Sequence, residues 1–119
     1  MKILVGAHTL LLWLAGGEGL GPKTRAMIAS PANELMVSVV SLWEIAVQIR
    51  AGAAVADLDE IIGVLPAEGF RVLPLEMTHL ARLQKVSVRH RDPFFHVLMA
   101  QAKAEGAMLI TNLPRGCAE

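Results

Sequence analysis

An open α/β fold in three layers is what this chain predicts: a central, mainly parallel sheet of about four strands, flanked by helices on both faces. Two observations carry the expectation. Short apolar runs alternate with stretches whose apolar residues recur at helical spacing, and strands separated by helices join in parallel through crossovers. Glycine, proline or an Asp-Pro pair closes nearly every stretch, which keeps the alternation legible. At 119 residues, without internal repeats, low-complexity stretches or linkers, residues 1–119 read as one domain with a single core.

The first run, Lys-Ile-Leu-Val-Gly at 2–6, suits a strand buried on both faces. Residues 8–16 turn helical, with Leu10, Leu11, Trp13 and Leu14 forming a broad apolar side. Glycines at 16, 17, 19 and 21 stop that helix, and Pro22 suits the first turn of another that runs to about Ser30. Pro31 and Asn33 make a turn into a strand over Glu34–Ser38. Ser41 is placed to cap the next helix, with Glu44 three residues on as in a capping box. Leu42, Ile45, Ala46 and Ile49 give that helix its apolar face, and Gly52 ends it.

A further helix is expected from about 57–59 to Gly69, bent or shortened near its end by Pro66. A strand over 70–75 and a short helix over 76–84 follow. Residues 85–92, KVSVRHRD, form a polar connector rich in positive charge. Asp92 and Pro93 are a sound start for a helix, cap and first position respectively; it runs to about Glu105, and Gly106 stops it. The last strand is placed at 107–111.

Hydrophobic residues make up 54% of the chain and the mean hydropathy is +0.49, apolar enough to call for a protein partner, either a second copy or another chain. No apolar run reaches the roughly 18 residues that span a bilayer, so no membrane role is expected. Lys plus Arg and Asp plus Glu both number 11, which removes net charge as a long-range attraction for nucleic acid. The single cysteine, Cys117, excludes an internal disulfide and fits a reducing cytoplasm. The N-terminal stretch has the charged start and small residues of a secretory signal. His8 and Thr9 interrupt it, however, and its removal would delete a strand and a helix that the fold needs. A buried first strand and helix is the better reading.

In an open α/β sheet, ligands bind outside the carboxyl ends of the strands. Gly6 and Leu113 fall at such ends, and Glu44 and Phe95 fall in the first turns of helices that face the same crevice. Four positions scattered in sequence thus converge. The strings ILVGAHTLLLWL, VSVVSLWEIAVQIRAG, HRDPFFHVLMAQAKAEG and MLITNLP resemble, in order and spacing, the PIN-domain ribonucleases of the VapC toxin type. The resemblance runs along nearly the whole chain. It implies a metal-dependent endoribonuclease of a type II toxin–antitoxin pair, with acids at the four positions holding Mg²⁺ or Mn²⁺. Such an ion lowers the pKa of bound water and neutralises charge at the scissile phosphate.

This chain departs from that pattern. The strand-end acid stands as Gly6, the second acid of an RDPFD-like string as Phe95, and the acid after the last strand as Leu113. Only Glu44 occupies a family acid position, with Asp92 as a residual neighbour. One carboxylate plus waters is a poor magnesium site, and Phe95 takes up room that ion and phosphate need. The expectation is a toxin homologue with a degraded metal site at Glu44, weakly joined by Asp92, that holds no Mg or Mn tightly. It is expected to be catalytically weak or inactive and to act as a homodimer or through a VapB-like antitoxin. The alternative is an active Mg- or Mn-dependent endoribonuclease. Relatives of this type often insert an antitoxin Arg among the acids, and they usually continue to a final strand that NLPRGCAE does not offer.

Other chemistry finds less support. His90 and His96 are six apart, wrong for one helical face, and His79 lies on another helix. His8, near the crevice, is a candidate to join Glu44, Asp92 or His96 in an improvised zinc or manganese site; a packing role is favoured. GGEGLGPKT has one residue too many for a phosphate loop and follows a helix rather than a strand. No Gly-x-Ser-x-Gly elbow exists. Arg82, Lys85, Arg89, His90 and Arg91 are candidates to touch RNA phosphates, although aromatic platforms are scarce and a solvated loop is favoured.

Overall fold

A computed structural model describes residues 1–87 and 92–111. The elements run β1 (Lys2–Val5), α1 (Ala7–Leu14), α2 (Pro22–Ala29), β2 (Glu34–Ser38), α3 (Val39–Arg50), α4 (Leu58–Val64), β3 (Phe70–Leu73), α5 (Met77–Leu83), α6 (Pro93–Glu105) and β4 (Met108–Ile110). The four strands form one sheet in the order β3-β2-β1-β4, every pair parallel. The α/β/α expectation with about four strands holds.

Strand periodicity explains why both faces carry a core. Successive side chains point to opposite faces, so Ile3, Val5, Leu35, Val37 and Phe70 share one side with Leu10 of α1, Ile28 of α2, Ile45 of α3 and Ile61 of α4. Leu4, Met36 and Leu73 take the other side against Leu98 and Ala102 of α6. Central strands buried on both faces must be apolar at every position, and Ile3, Leu4 and Val5 are fully buried. The N-terminal run is therefore the middle of the sheet. Among the described residues, no helix is long and apolar enough to cross a membrane.

Several boundaries differ from the expectation by a residue or more, and three ends have a clear backbone reason, one of them the shortening expected at Pro66. Helix α3 begins at Val39, not after Ser41, because Ser38 is the cap: its Oγ accepts from the Val40 N–H at 3.0 Å. Ser41 is consequently inside the helix and fully buried, and its hydroxyl makes no hydrogen bond to a described residue. The Ser41–Glu44 capping box does not form. Helix α4 ends at Val64, since Pro66 has no N–H to extend the ladder. Strand β3 ends at Leu73 because Pro74 cannot donate to the sheet either. The other cap expectations hold. Asp92 Oδ1 accepts from the Phe94 N–H at 2.9 Å with Pro93 first in the helix, and Gly106 closes α6 at φ 65°, in the left-handed region glycine favours.

Candidate functional site

The carboxyl ends of β1, β2 and β4 lie side by side, and α1 and α3 each start at the residue after a strand-end cap. Helix α6 leads into β4, so its first turn returns to that same edge of the sheet. Gly6 is the N-cap of α1 and supplies no side-chain cap. Its N–H donates to the Ile110 carbonyl at 2.9 Å, which holds the end of β1 against the end of β4. A Cβ placed on Gly6 would meet Thr111 Cγ2 at 3.1 Å, so a larger residue there requires Thr111 to give by a few tenths of an ångström.

Glu44 and Asp92 approach each other across the α3–α6 contact. Burial first, and the charge of Asp92 second, push the Glu44 carboxyl from its ordinary 4.5 up to about 7. The nearest donor, Gln48 Nε2, stands 3.5 Å from Glu44 Oε2, too far to hold the ionised form firmly. Asp92 directs one oxygen to the helix start through the Phe94 N–H, so its capping duty is real. Phe95, in the first turn of α6, is buried. Beside them Trp43 and Phe94 meet edge to face, with centroids 4.8 Å apart. Structure thus brings Glu44 and Asp92 together and places Gly6 and Phe95 at the same edge. Leu113 lies outside the described residues.

A hard divalent ion asks for about six oxygens. At this edge the described side chains offer two carboxylates, one half-protonated near neutral pH. His8 is exposed on α1, so the packing role expected for it is not taken up. It does not join Glu44, Asp92 and His96 in a group of three ligands.

The one group of three metal-type side chains among the described residues lies elsewhere. Glu76, His79 and Glu105 bring ligand atoms within 4.8 Å of one another between α5 and α6. Its hydrogen bonds define a different role. His79 Nδ1 accepts from the Glu76 N–H at 3.0 Å, so in the neutral ring the proton sits on Nε2, which faces Glu105 Oε2 at 3.1 Å. A metal on Nε2 would need that proton moved to Nδ1, against the Glu76 N–H. The group is a helix cap and a structural hydrogen bond. It continues inward: Gln101 Nε2 lies 3.3 Å from His79 Nδ1 and donates to the Pro74 carbonyl, while Ser38 Oγ donates to Gln101 Oε1 at 2.5 Å. Sequence reading missed this network. The Glu-x-x-His spacing at 76 and 79 was its one local signal, since Glu105 and Gln101 arrive only by packing.

Of the cationic connector, Arg82 and Lys85 are described and exposed; Arg89, His90 and Arg91 lie outside the described residues. No curated protein matches the chain. A family model described as PIN domain matches residues 5–112, which takes in all six helices, strands β2, β3 and β4 and the last residue of β1. With its parallel sheet and its strand-end edge in place, the chain belongs to the PIN-domain family.

Proposed function

We propose that this PIN-domain chain is a VapC-like toxin homologue whose metal site has degraded, so that it cuts RNA weakly or not at all. The family generally uses divalent metals and is nuclease-like. The observation that carries the proposal is the residual carboxylate pair. Glu44 is raised to about 7 beside Asp92, while Gly6 offers no ligand and Phe95 fills its position with a buried ring. Glu44, which resists ionising, and Asp92 beside it are too few ligands for the ion, and in this reading Mg or Mn is not held tightly.

Partner binding is the activity left. Val39, Trp43 and Val47 are exposed at successive i, i+4 positions of α3, an apolar stripe beside Glu44. In this reading the stripe serves a homodimer or the helix of a VapB-like antitoxin, and the chain works in the cytoplasm, where Cys117 stays reduced. An antitoxin Arg inserted here would meet Glu44 and Asp92 alone, so apolar contact carries more of the affinity. The whole span 1–119 acts as one domain.

An RNA-cleavage assay with Mg²⁺ or Mn²⁺ tests the proposal, set beside a variant carrying Gly6→Asp, Phe95→Asp and Leu113→Asp. The unaltered chain is expected to leave RNA intact. Cutting by the unaltered chain that Glu44→Ala abolishes would establish the second reading, an active Mg- or Mn-dependent endoribonuclease, which the survival of Glu44 beside Asp92 favours.

A further inference from the structure

His79 is fully buried, and its two ring nitrogens stand in opposite surroundings. On the Nδ1 side are two donors. The Glu76 N–H donates at 3.0 Å, and the Gln101 Nε2 lies 3.3 Å from the same atom. Nδ1 has a single lone pair, so both N–H groups converge on it. On the Nε2 side are two carboxylates, Glu105 at 3.1 Å and Glu76 at 4.0 Å. A proton added to Nδ1 would point straight at two N–H donors, while the imidazolium so formed would keep a carboxylate at its other nitrogen. One side of the ring suits the neutral form and the other suits the cation.

The Nδ1 side does not end at the ring. Gln101, also fully buried, donates from Nε2 to the Pro74 carbonyl at 3.3 Å and accepts at Oε1 from Ser38 Oγ. Ser38 in turn caps α3 by accepting from the Val40 N–H at 3.0 Å. Hydrogen bonds therefore run unbroken from the ring to the helix that carries Glu44, and they point in one consistent direction. A proton on Nδ1 reverses that direction. Gln101 then has to offer Oε1 to the ring, which sends its Nε2 to Ser38 Oγ. Ser38 receives two donors and loses its own acceptor. The Glu76 N–H and the Pro74 carbonyl lose their partners, but both residues are exposed, so water replaces those bonds locally.

The remaining charges nearby stand off from the ring. Arg82 and Lys85 border an open cleft with Glu105, and Lys103 joins them in the adjoining one; His79 lines neither. All three cations are exposed, and none forms an ion pair with a described residue. Charge on the ring is thus met by Glu76 from its own helix and by Glu105 from α6, and the end of β2 and the turn after β3 present only the Ser38 hydroxyl and the Pro74 carbonyl.

We propose that His79 is a proton-operated latch: a proton taken from solvent at Nδ1 turns the Gln101 amide over, releases the first turn of α5 and loosens the Ser38 cap of α3. Nε2 keeps its own proton throughout, and the new N–H is the one covalent bond formed. The latch needs neither metal nor RNA, so it stands apart from the proposed loss of cleavage.

The test is an NMR titration of the full chain from about pH 8 to pH 5, across which histidines change charge. It is run with Glu44→Gln in place, so that the Glu44 carboxyl does not reach Val40 with a titration of its own. The ring nitrogens should report a proton on Nε2 at the upper end. On acidification the His79 ring, the Gln101 side-chain amide and the Glu76 and Val40 amides should move with one midpoint, and exchange protection at the start of α5 should fall about tenfold. Gln101→Met should keep the His79 and Glu76 responses and abolish that of Val40. Ser38→Ala cuts the same path from its other end and should silence Val40 while Gln101 still turns. Glu105→Gln should move the shared midpoint to lower pH without separating the signals. A ring that stays neutral in the folded chain down to pH 5 overturns the proposal. So does a ring that charges while Val40 stays still, a Val40 response that survives both Gln101→Met and Ser38→Ala, or global unfolding by circular dichroism at the midpoint.

Discussion

Two polar clusters sit about one helix length apart on α6, and they are built on opposite principles. Around His79, each buried polar side chain has a partner. Ser38 Oγ accepts from Val40 and donates to Gln101, Gln101 also donates to the Pro74 carbonyl, and His79 is fixed at both nitrogens. Around Glu44, burial and the nearby Asp92 charge raise the carboxyl to about 7, and the one donor to it, Gln48, is long at 3.5 Å, while Asp92 accepts from the Phe94 N–H. A satisfied buried network holds elements in place, whereas a half-buried carboxyl beside a like charge lowers stability unless a cation or proton offsets it. The first cluster locks α5 and α6 to the end of β2. The second holds a carboxyl that resists ionising.

Substitutions break that contrast in graded steps. His79→Ala should be the most damaging, by about 3 kcal/mol in urea unfolding, since it empties a fully buried site and leaves the Gln101 amide and the Glu76 N–H short of a partner. A loss under about 1 kcal/mol would mean the network is not structural.

Glu44→Gln should act in the opposite direction. The folded-state pKa lies above the ordinary value, so the folded chain binds more protons between roughly pH 4.5 and 7. Stability then falls as pH rises through that window and is level above it. Replacement by Gln should remove this fall and stabilise the chain by about 1–2 kcal/mol at pH 8, discounted for the solvent that reaches a half-buried carboxyl, with little effect at pH 4.5. Melting curves of both proteins across that range decide it, and equal pH dependence would count against the assignment. Asp92→Asn sharpens the point. Asn caps a helix nearly as well as Asp, so α6 should persist while the Glu44 titration, followed by NMR, moves down.

Smaller effects separate the clusters further. Ser41→Ala removes a fully buried hydroxyl without a described partner and should be neutral or stabilising by up to about 1 kcal/mol. The Ser38→Ala cap loss should cost about 1–2 kcal/mol in the same assay. Millimolar Mn²⁺ should change the melting temperature least, by under about 1 °C, because an ion that binds the folded state weakly stabilises it weakly. A rise of several degrees would show that the acid pair holds metal after all.

Asp92-Pro93 announced a helix start and Gly106 its stop, and both were readable because a cap or a left-handed turn is decided within a few residues. The strand runs were readable because burial on both faces leaves no polar position. Ser38 and Ser41 were not distinguishable in the same way. Either can cap, and the choice depends on where the β2 ladder ends: Ser38 pairs with Leu73 in register and still caps α3. Gly6 at the strand end and the ring at Phe95 were visible as letters. Their setting required Asp92 to come near enough to act on the Glu44 carboxyl, an influence between residues 48 apart in sequence.

Local chemistry by itself determined the alternation of strands and helices, the caps at Asp92 and Gly106, and the near-absence of acids at the strand-end positions. Tertiary packing alone decided that Glu44 titrates near 7, that His79 serves as a strut with Glu105, and that Arg82, Lys85 and Lys103 share a cleft. The division has one cause. Hydrogen bonds at a helix end reach only a few residues, while desolvation and charge coupling depend on whatever the fold places nearby, however far away along the chain.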